Sequence, residues 1–189
     1  AKLVANLIVS AGADRILALD LHAGQIQGFF DIPVDHLYSI NVLSKYFIKK
    51  RLKNLVVVSP DVGGLKLARA YSKLLNATLA IVDKRRENAV ETKVMNLIGE
   101  VRDRNVVLVD DLVSTASSLV EAVRILKQEG CLDVYAAIVH PLLAGPAIER
   151  IQNSELKELV VSDSIPILPE KRIKKITVLS VAPLLSEAI

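Results

Sequence analysis

Val106-Val107-Leu108-Val109-Asp110-Asp111-Leu112-Val113-Ser114-Thr115-Ala116-Ser117-Ser118 is the stretch that decides the fold. Its first four residues are aliphatic without interruption, as in a strand buried on both faces. Two adjacent carboxylates stand at the carboxyl end of that run, and a bend of small hydroxyl residues follows. From there Leu119, Val123 and Leu126 recur at helical spacing, and Gly130 marks the stop. A buried strand that feeds a helix through a short loop is the repeating unit of a parallel α/β sheet.

Working outward, similar runs predict strands at Ile16 to Leu19, Leu55 to Val58, Leu79 to Val82, Val134 to Val139, Leu159 to Val161 and Ile176 to Leu179. Leu67, Tyr71 and Leu74 share one face of a helix between two of them. Strand alternating with helix predicts a doubly wound, mainly parallel sheet flanked by helices, with ligands bound beyond the carboxyl ends of the strands. Ala1 to Gly12 reads as a helix and the last residues as an amphipathic stretch. The segment Asp31-Ile32-Pro33-Val34-Asp35 breaks helix and strand alike, and marks a boundary between a leading α-β piece and the main unit.

Composition narrows the function classes. In 189 residues, 24 Lys and Arg against 21 Asp and Glu leave a net charge of +3, too small for an electrostatic grip on nucleic acid. A 51% hydrophobic share excludes an acidic disordered chain. Cys131 is the only cysteine, which rules out an internal disulfide or a thiolate metal cluster and suits a cytoplasmic protein. No apolar run has the length of a membrane span, and the first residues lack the order of a signal peptide, so no membrane partner is expected. Lys171-Arg172-Ile173-Lys174-Lys175 has no interleaved aromatic residues and reads as a solvated loop.

Four constellations carry chemistry. The bend from Ser114 to Ser118 opens a helix whose free amides and positive dipole end favour a phosphate monoester, with hydroxyls of Thr115, Ser117 and Ser118 as further donors. Asp110 and Asp111 can accept hydrogen bonds from sugar hydroxyls, directly or through a divalent cation. The plainer alternative is that these hydroxyls only cap the helix. Val58-Ser59-Pro60-Asp61-Val62-Gly63-Gly64 is a second strand-to-helix turn, in which the glycines admit close approach of an anion such as pyrophosphate and Asp61 offers a hard oxygen ligand for Mg²⁺; a tight turn alone is the alternative. Asp83-Lys84-Arg85-Arg86 gathers three cations that suit a triphosphate or, more plainly, solvent. The last is Asp20-Leu21-His22-Ala23, in which a lone histidine after a strand is usually structural.

Asp20-Leu21-His22-Ala23 with Gln25-Ile26-Gln27-Gly28-Phe29-Phe30, then Ser59-Pro60-Asp61 with Gly63-Gly64, then Asp83-Lys84-Arg85-Arg86, then Leu108-Val109-Asp110-Asp111 resembles the ribose-phosphate pyrophosphokinases, the synthetases that make phosphoribosyl pyrophosphate. His140-Pro141, Ala144-Gly145-Pro146-Ala147 and Leu184-Leu185 extend the resemblance over essentially the whole chain. It implies a type I phosphoribosyltransferase-like fold and transfer of the β,γ-diphosphoryl group of ATP to the 1-hydroxyl of ribose 5-phosphate, with Mg²⁺. It further implies His22 and Asp61 as metal ligands, Lys84 and Arg86 as catalytic cations, and Asp61, Val62, Gly63 and Gly64 as the pyrophosphate loop. Arg86, Asp110, Asp111, Ser114, Thr115, Ala116, Ser117 and Ser118 would hold ribose 5-phosphate.

The resemblance also assigns residues 1–38 to the tail of an N-terminal domain and residues 39–189 to a C-terminal domain, with the remainder of both family termini outside this sequence. Homo-oligomers are implied too, dimers assembling into hexamers. The family pattern has an acid where this chain has Ser114, glycine where it has Ser117 and threonine where it has Ser118. These departures keep open a non-catalytic, synthetase-associated regulatory subunit. A base-salvaging phosphoribosyltransferase would share the acid pair but not the run from Asp20 to Phe30.

Overall fold

The computed structural model describes residues 1–85 and 94–189, with the backbone alone for residues 83–85 and 94–95. A leading piece carries helix α1 (Lys2–Ser10), strand β1 (Ile16–Leu19), a 3₁₀ turn (Gly24–Phe29) and strand β2 (Val34–Leu37). The chain then runs through α2 (Ile40–Lys50), β3 (Leu55–Ser59), α3 (Leu65–Leu74), β4 (Thr78–Arg85), β5 (Val94–Ile98), β6 (Asn105–Val113) and α4 (Ser117–Gln128). It finishes with β7 (Val134–Pro141), α5 (Ala147–Asn153), β8 (Leu156–Ser162), a 3₁₀ turn (Pro169–Lys171), β9 (Ile176–Leu179) and α6 (Ala182–Ala188).

β1 and β2 pair in parallel with each other and form their own small sheet. The other seven strands form one sheet in the order β5-β4-β3-β6-β7-β8-β9, in which only β5 runs antiparallel to its neighbour. The uninterrupted aliphatic runs are explained by helices on both faces. Val56, Val58, Val106, Leu108, Val134, Ala136 and Ile138 pack beneath Leu119, Val123 and Leu126 of α4 and Ile151 of α5. The alternate residues Val57, Val107, Val109, Tyr135, Ala137 and Val139 face Leu43 and Phe47 of α2 and Ala68 and Tyr71 of α3. Each strand residue thus changes face at every step.

Several expectations need correction. Leu74 is 44% exposed and leaves the buried face of α3, which Ala68 and Tyr71 supply. The segment at Pro33 does not break the chain's extended course: the Pro33 carbonyl accepts from the Ile16 amide at 2.9 Å and β2 starts one residue later. β5 turns back along the sheet edge as a hairpin, and Gly99, at φ +112, closes over Ala80 where a Cβ would stand 2.7 Å away. The basic segment is also tied to the fold. Lys171 donates to the Leu143 carbonyl, while Lys175 donates to the carbonyls of Ile151, Gln152 and Ser154 at the end of α5, where a cation opposes the helix dipole.

β6 is longer than its aliphatic core and carries the acid pair within the strand. Alternation therefore sends Asp110 toward the α4 side and Asp111 toward the side of the leading piece.

Candidate functional site

The bend after β6 is held open by its own backbone. Ala116 occupies the N-cap of α4 in the left-handed region at φ 59, ψ 10, a conformation that costs a residue with a Cβ roughly 1 kcal/mol. Among the described residues no side chain caps the helix and no acceptor meets the amides of Thr115 to Leu119. The three nearby hydroxyls are thus not there as caps: Thr115 Oγ1 and Ser117 Oγ contact each other at 3.1 Å, and the first turn of a twelve-residue helix keeps its donors and positive dipole end available. The carbonyls are engaged instead. Val113 and Ser114 accept from the amides of Leu143 and Ala144 at 3.2 and 2.9 Å, and Thr115 accepts from Arg150 Nη1 at 2.9 Å.

This bend walls a cavity of about 250 Å³ whose lining includes Val113 to Ser118, Asp110, Asp61 and Pro60. The loops after β3 and β6 therefore meet at one site, beyond the carboxyl ends of adjacent strands. Val62, Gly63 and Gly64 do not line it. Gly64 has a packing reason of its own. The Asp61 carboxylate accepts from the Gly64 amide at 2.9 Å, and the buried Ser59 hydroxyl donates to the Asp61 carbonyl at 2.7 Å. A Cβ on Gly64 would lie 2.7 Å from that hydroxyl, so close packing inside the turn excludes it.

The carboxylates are electrostatically crowded. Burial pushes the Asp110 carboxyl up to about 7, and its neighbour Asp111 and the charge of Asp61 add to the rise, against the Asp111 amide that donates to Asp110 at 2.9 Å. Across the strand, Asp111 Oδ2 holds His22 Nδ1; that bond, followed by the same carboxylate's charge, raises the imidazole pKa. His22 is 87% exposed against 25% for Asp111, so the free Nε2 of the ring faces solvent.

His22, Asp61, Asp110 and Asp111 thus come together, but no three His, Cys, Asp or Glu side chains among the described residues form a metal-holding group. Lys84 is placed only by its backbone register opposite Met95 in the β4–β5 hairpin, and Arg86 lies outside the described residues.

Two supporting residues had no assigned role in the sequence. His140 Nε2 donates to the carbonyl of Asp20, a residue at φ 43 whose carboxylate accepts from the Ser39 amide at 2.7 Å; this fixes the backbone that leads to His22. Arg150 reaches the phosphate-type bend from α5. Histidine next to Pro141 was visible as a motif, whereas Arg150 had no local signal.

Sheet order and loop geometry define a phosphoribosyltransferase-like α/β protein. The fold is shared with orotate phosphoribosyltransferase from Aeropyrum pernix, at TM-score 0.50 and 18% identity over 79% of this chain and 73% of that one. Phosphoribosylpyrophosphate synthetase from Mycobacterium smegmatis matches at TM-score 0.92 and 38% identity, covering 99% of this chain and 61% of that chain. Ribose-phosphate pyrophosphokinase from Bacillus cereus is 53% identical over 188 residues, which is 100% of this chain and 59% of the relative's length. Residues 86–189 match the family described as phosphoribosyl synthetase-associated domain. The chain belongs to that family, and it spans about three fifths of the length of the curated relatives it matches.

Proposed function

We propose that this chain is the ribose 5-phosphate-binding and diphosphate-binding portion of a ribose-phosphate pyrophosphokinase, which transfers the diphosphoryl group of ATP to the 1-hydroxyl of ribose 5-phosphate and releases AMP. One observation carries the reading: the uncapped amides of Thr115 to Leu119 open on a cavity that Asp61 and Asp110 also line. The 5-phosphate would take those amides and the hydroxyls of Thr115, Ser117 and Ser118, with Ser114 and Ala116 shaping the bend. Asp110 and Asp111 would accept from ribose hydroxyls, and the turn from Asp61 through Val62, Gly63 and Gly64 would receive the diphosphate.

Residues 1–38 would be the end of one domain, carrying His22 to the seam, and residues 39–189 the domain that binds the sugar phosphate. Lys84 and Arg86 would supply the cations that balance charge developing on the phosphoryl oxygens, and Arg86 would reach ribose 5-phosphate as well. Burial, with the neighbouring carboxylates Asp111 and Asp61, pushes the Asp110 carboxyl up, a setting that a divalent cation would relieve, and Asp61 with His22 would supply two ligands of a shell that substrate and water complete. Bound Mg²⁺ would screen phosphoryl charge. The protein would be cytoplasmic and homo-oligomeric, and no helix among the described residues is long and apolar enough to cross a membrane.

Calorimetric titration of these 189 residues with ribose 5-phosphate, with and without Mg²⁺, tests the reading. Saturable binding that Asp110→Asn with Asp111→Asn abolishes is expected, without steady AMP release from ATP. Failure to bind ribose 5-phosphate overturns the assignment. Ser114, in place of an acid, favours a second reading as a non-catalytic subunit; it gains if the full-length protein binds ribose 5-phosphate yet makes no AMP.

A further inference from the structure

Arg150 stands on α5, 35 residues from the carbonyl it reaches. Its Nη1 donates to the Thr115 carbonyl at 2.9 Å and to Ser117 Oγ at 2.6 Å. The carbonyls of Val113 and Ser114 are drawn the same way, toward the amides of Leu143 and Ala144. Because every peptide bond described is trans, each of these carbonyls sets the amide of the following residue on the opposite side. The amides of Ser114, Thr115 and Ala116 are therefore aimed away from the 143–150 segment, along a bend that lines the cavity. The last of the three peptide planes precedes Ala116, whose left-handed backbone needs outside support. Among the described residues no backbone amide supplies it: the donor at this plane is the Arg150 side chain.

We propose that Arg150 is a positioning residue that holds the Thr115–Ala116 peptide plane in the orientation needed to bind a phosphate monoester. The proposal rests on the reading of the cavity given above. Arg150 is not part of the cavity lining, so its action on a phosphate there would run through the loop. Ser117, which stands where the resembling family has glycine, gives the guanidinium a second hold through its hydroxyl. Both bonds come from the one nitrogen Nη1, whose two hydrogens serve the two acceptors.

The test uses the 189-residue protein and Arg150→Met, which keeps the apolar stem and removes the donors, beside Arg150→Lys and Ser117→Ala. Amide hydrogen exchange without ligand should show Val120, Leu143 and Ala144, whose amides donate to the carbonyls of Ala116, Val113 and Ser114 in the bend, exchanging about tenfold faster in R150M, while the β6 and β7 amides stay protected. Titration with ribose 5-phosphate should give about tenfold weaker binding by R150M and partial recovery in R150K. Unchanged exchange at these three amides in R150M overturns the proposal. So does faster exchange with wild-type affinity. Should R150M fail to fold, R150K and S117A carry the same two measurements. If the wild-type protein binds no ribose 5-phosphate, the functional reading falls, while the exchange measurement still decides whether Arg150 anchors the loop.

Discussion

Replacing Gly64 by alanine should destabilise the protein, and removing the Ser59 hydroxyl should reverse the sign of that effect. The backbone at Gly64 lies at φ −78, ψ −1, which alanine adopts without strain, so reduced freedom of the unfolded chain alone would favour alanine by about 0.4–1 kcal/mol. Against this, the new Cβ stands 2.7 Å from Ser59 Oγ, inside van der Waals contact. That hydroxyl is fully buried and donates to the Asp61 carbonyl at 2.7 Å. Turning it aside leaves a buried donor without its acceptor, a loss of about 1–3 kcal/mol. Gly64→Ala should therefore cost about 1–2 kcal/mol in the wild-type protein and be neutral or stabilising by up to about 1 kcal/mol in Ser59→Ala, a coupling near 2 kcal/mol. Urea unfolding of the four proteins followed by far-ultraviolet circular dichroism measures the cycle. Equal effects of Gly64→Ala in both backgrounds would refute the reasoning, because the obstacle would then not be Ser59.

Asp110 holds a proton up to about pH 7 in the folded protein but releases it near its ordinary value of 3.8 when unfolded, so its contribution to stability falls as pH rises between those values. Asp110→Asn should accordingly stabilise the protein by about 1–3 kcal/mol at pH 8 and much less at pH 4, as read from urea midpoints. Glu158 accepts from Tyr46 and Lys50 at 2.5 Å each and from Thr177 at 2.7 Å; burial raises its carboxyl pKa, but those donors outweigh burial and leave it lowered. Its stabilising effect is present above the ordinary carboxyl range and is lost as pH falls through the lowered value. Glu158→Gln should cost about 2 kcal/mol in thermal melts at pH 7, with the difference shrinking toward pH 3. Leu126 is fully buried between α4 and the sheet, so Leu126→Ala should cost about 2–5 kcal/mol in the same unfolding assay.

The large sheet was legible because strands covered by helices on both faces must be aliphatic at every position, as β3, β6 and β7 are. β2 escaped notice because Pro33 precedes it and Asp35 and His36 lie within it: Asp35 pairs with Arg15 at 2.5 Å and His36 accepts from the Leu21 amide at 2.9 Å. β5 is an edge hairpin strand with no aliphatic run.

At the site, the acid pair and the hydroxyl bend could be read because both are local in sequence. The sign of the helix-cap alternative could not, since it depends on the left-handed Ala116. Gly64 was recognisable as a turn residue, but its reason is the facing Ser59 hydroxyl. Arg150 was invisible because its partners are set by how α5 packs beside α4.

His22 follows a pair of strands that, among the described residues, form a sheet of their own, whereas Asp111 belongs to the seven-stranded sheet. Between these bodies the His140–Asp20 and His22–Asp111 bonds act as rivets across a joint. Opening of that joint, which must also lift Leu19 off the main core, would cost less free energy than global melting. A molecule that had let go there would keep its spectroscopic signature of a folded protein while its histidine and its carboxylates no longer shared an address.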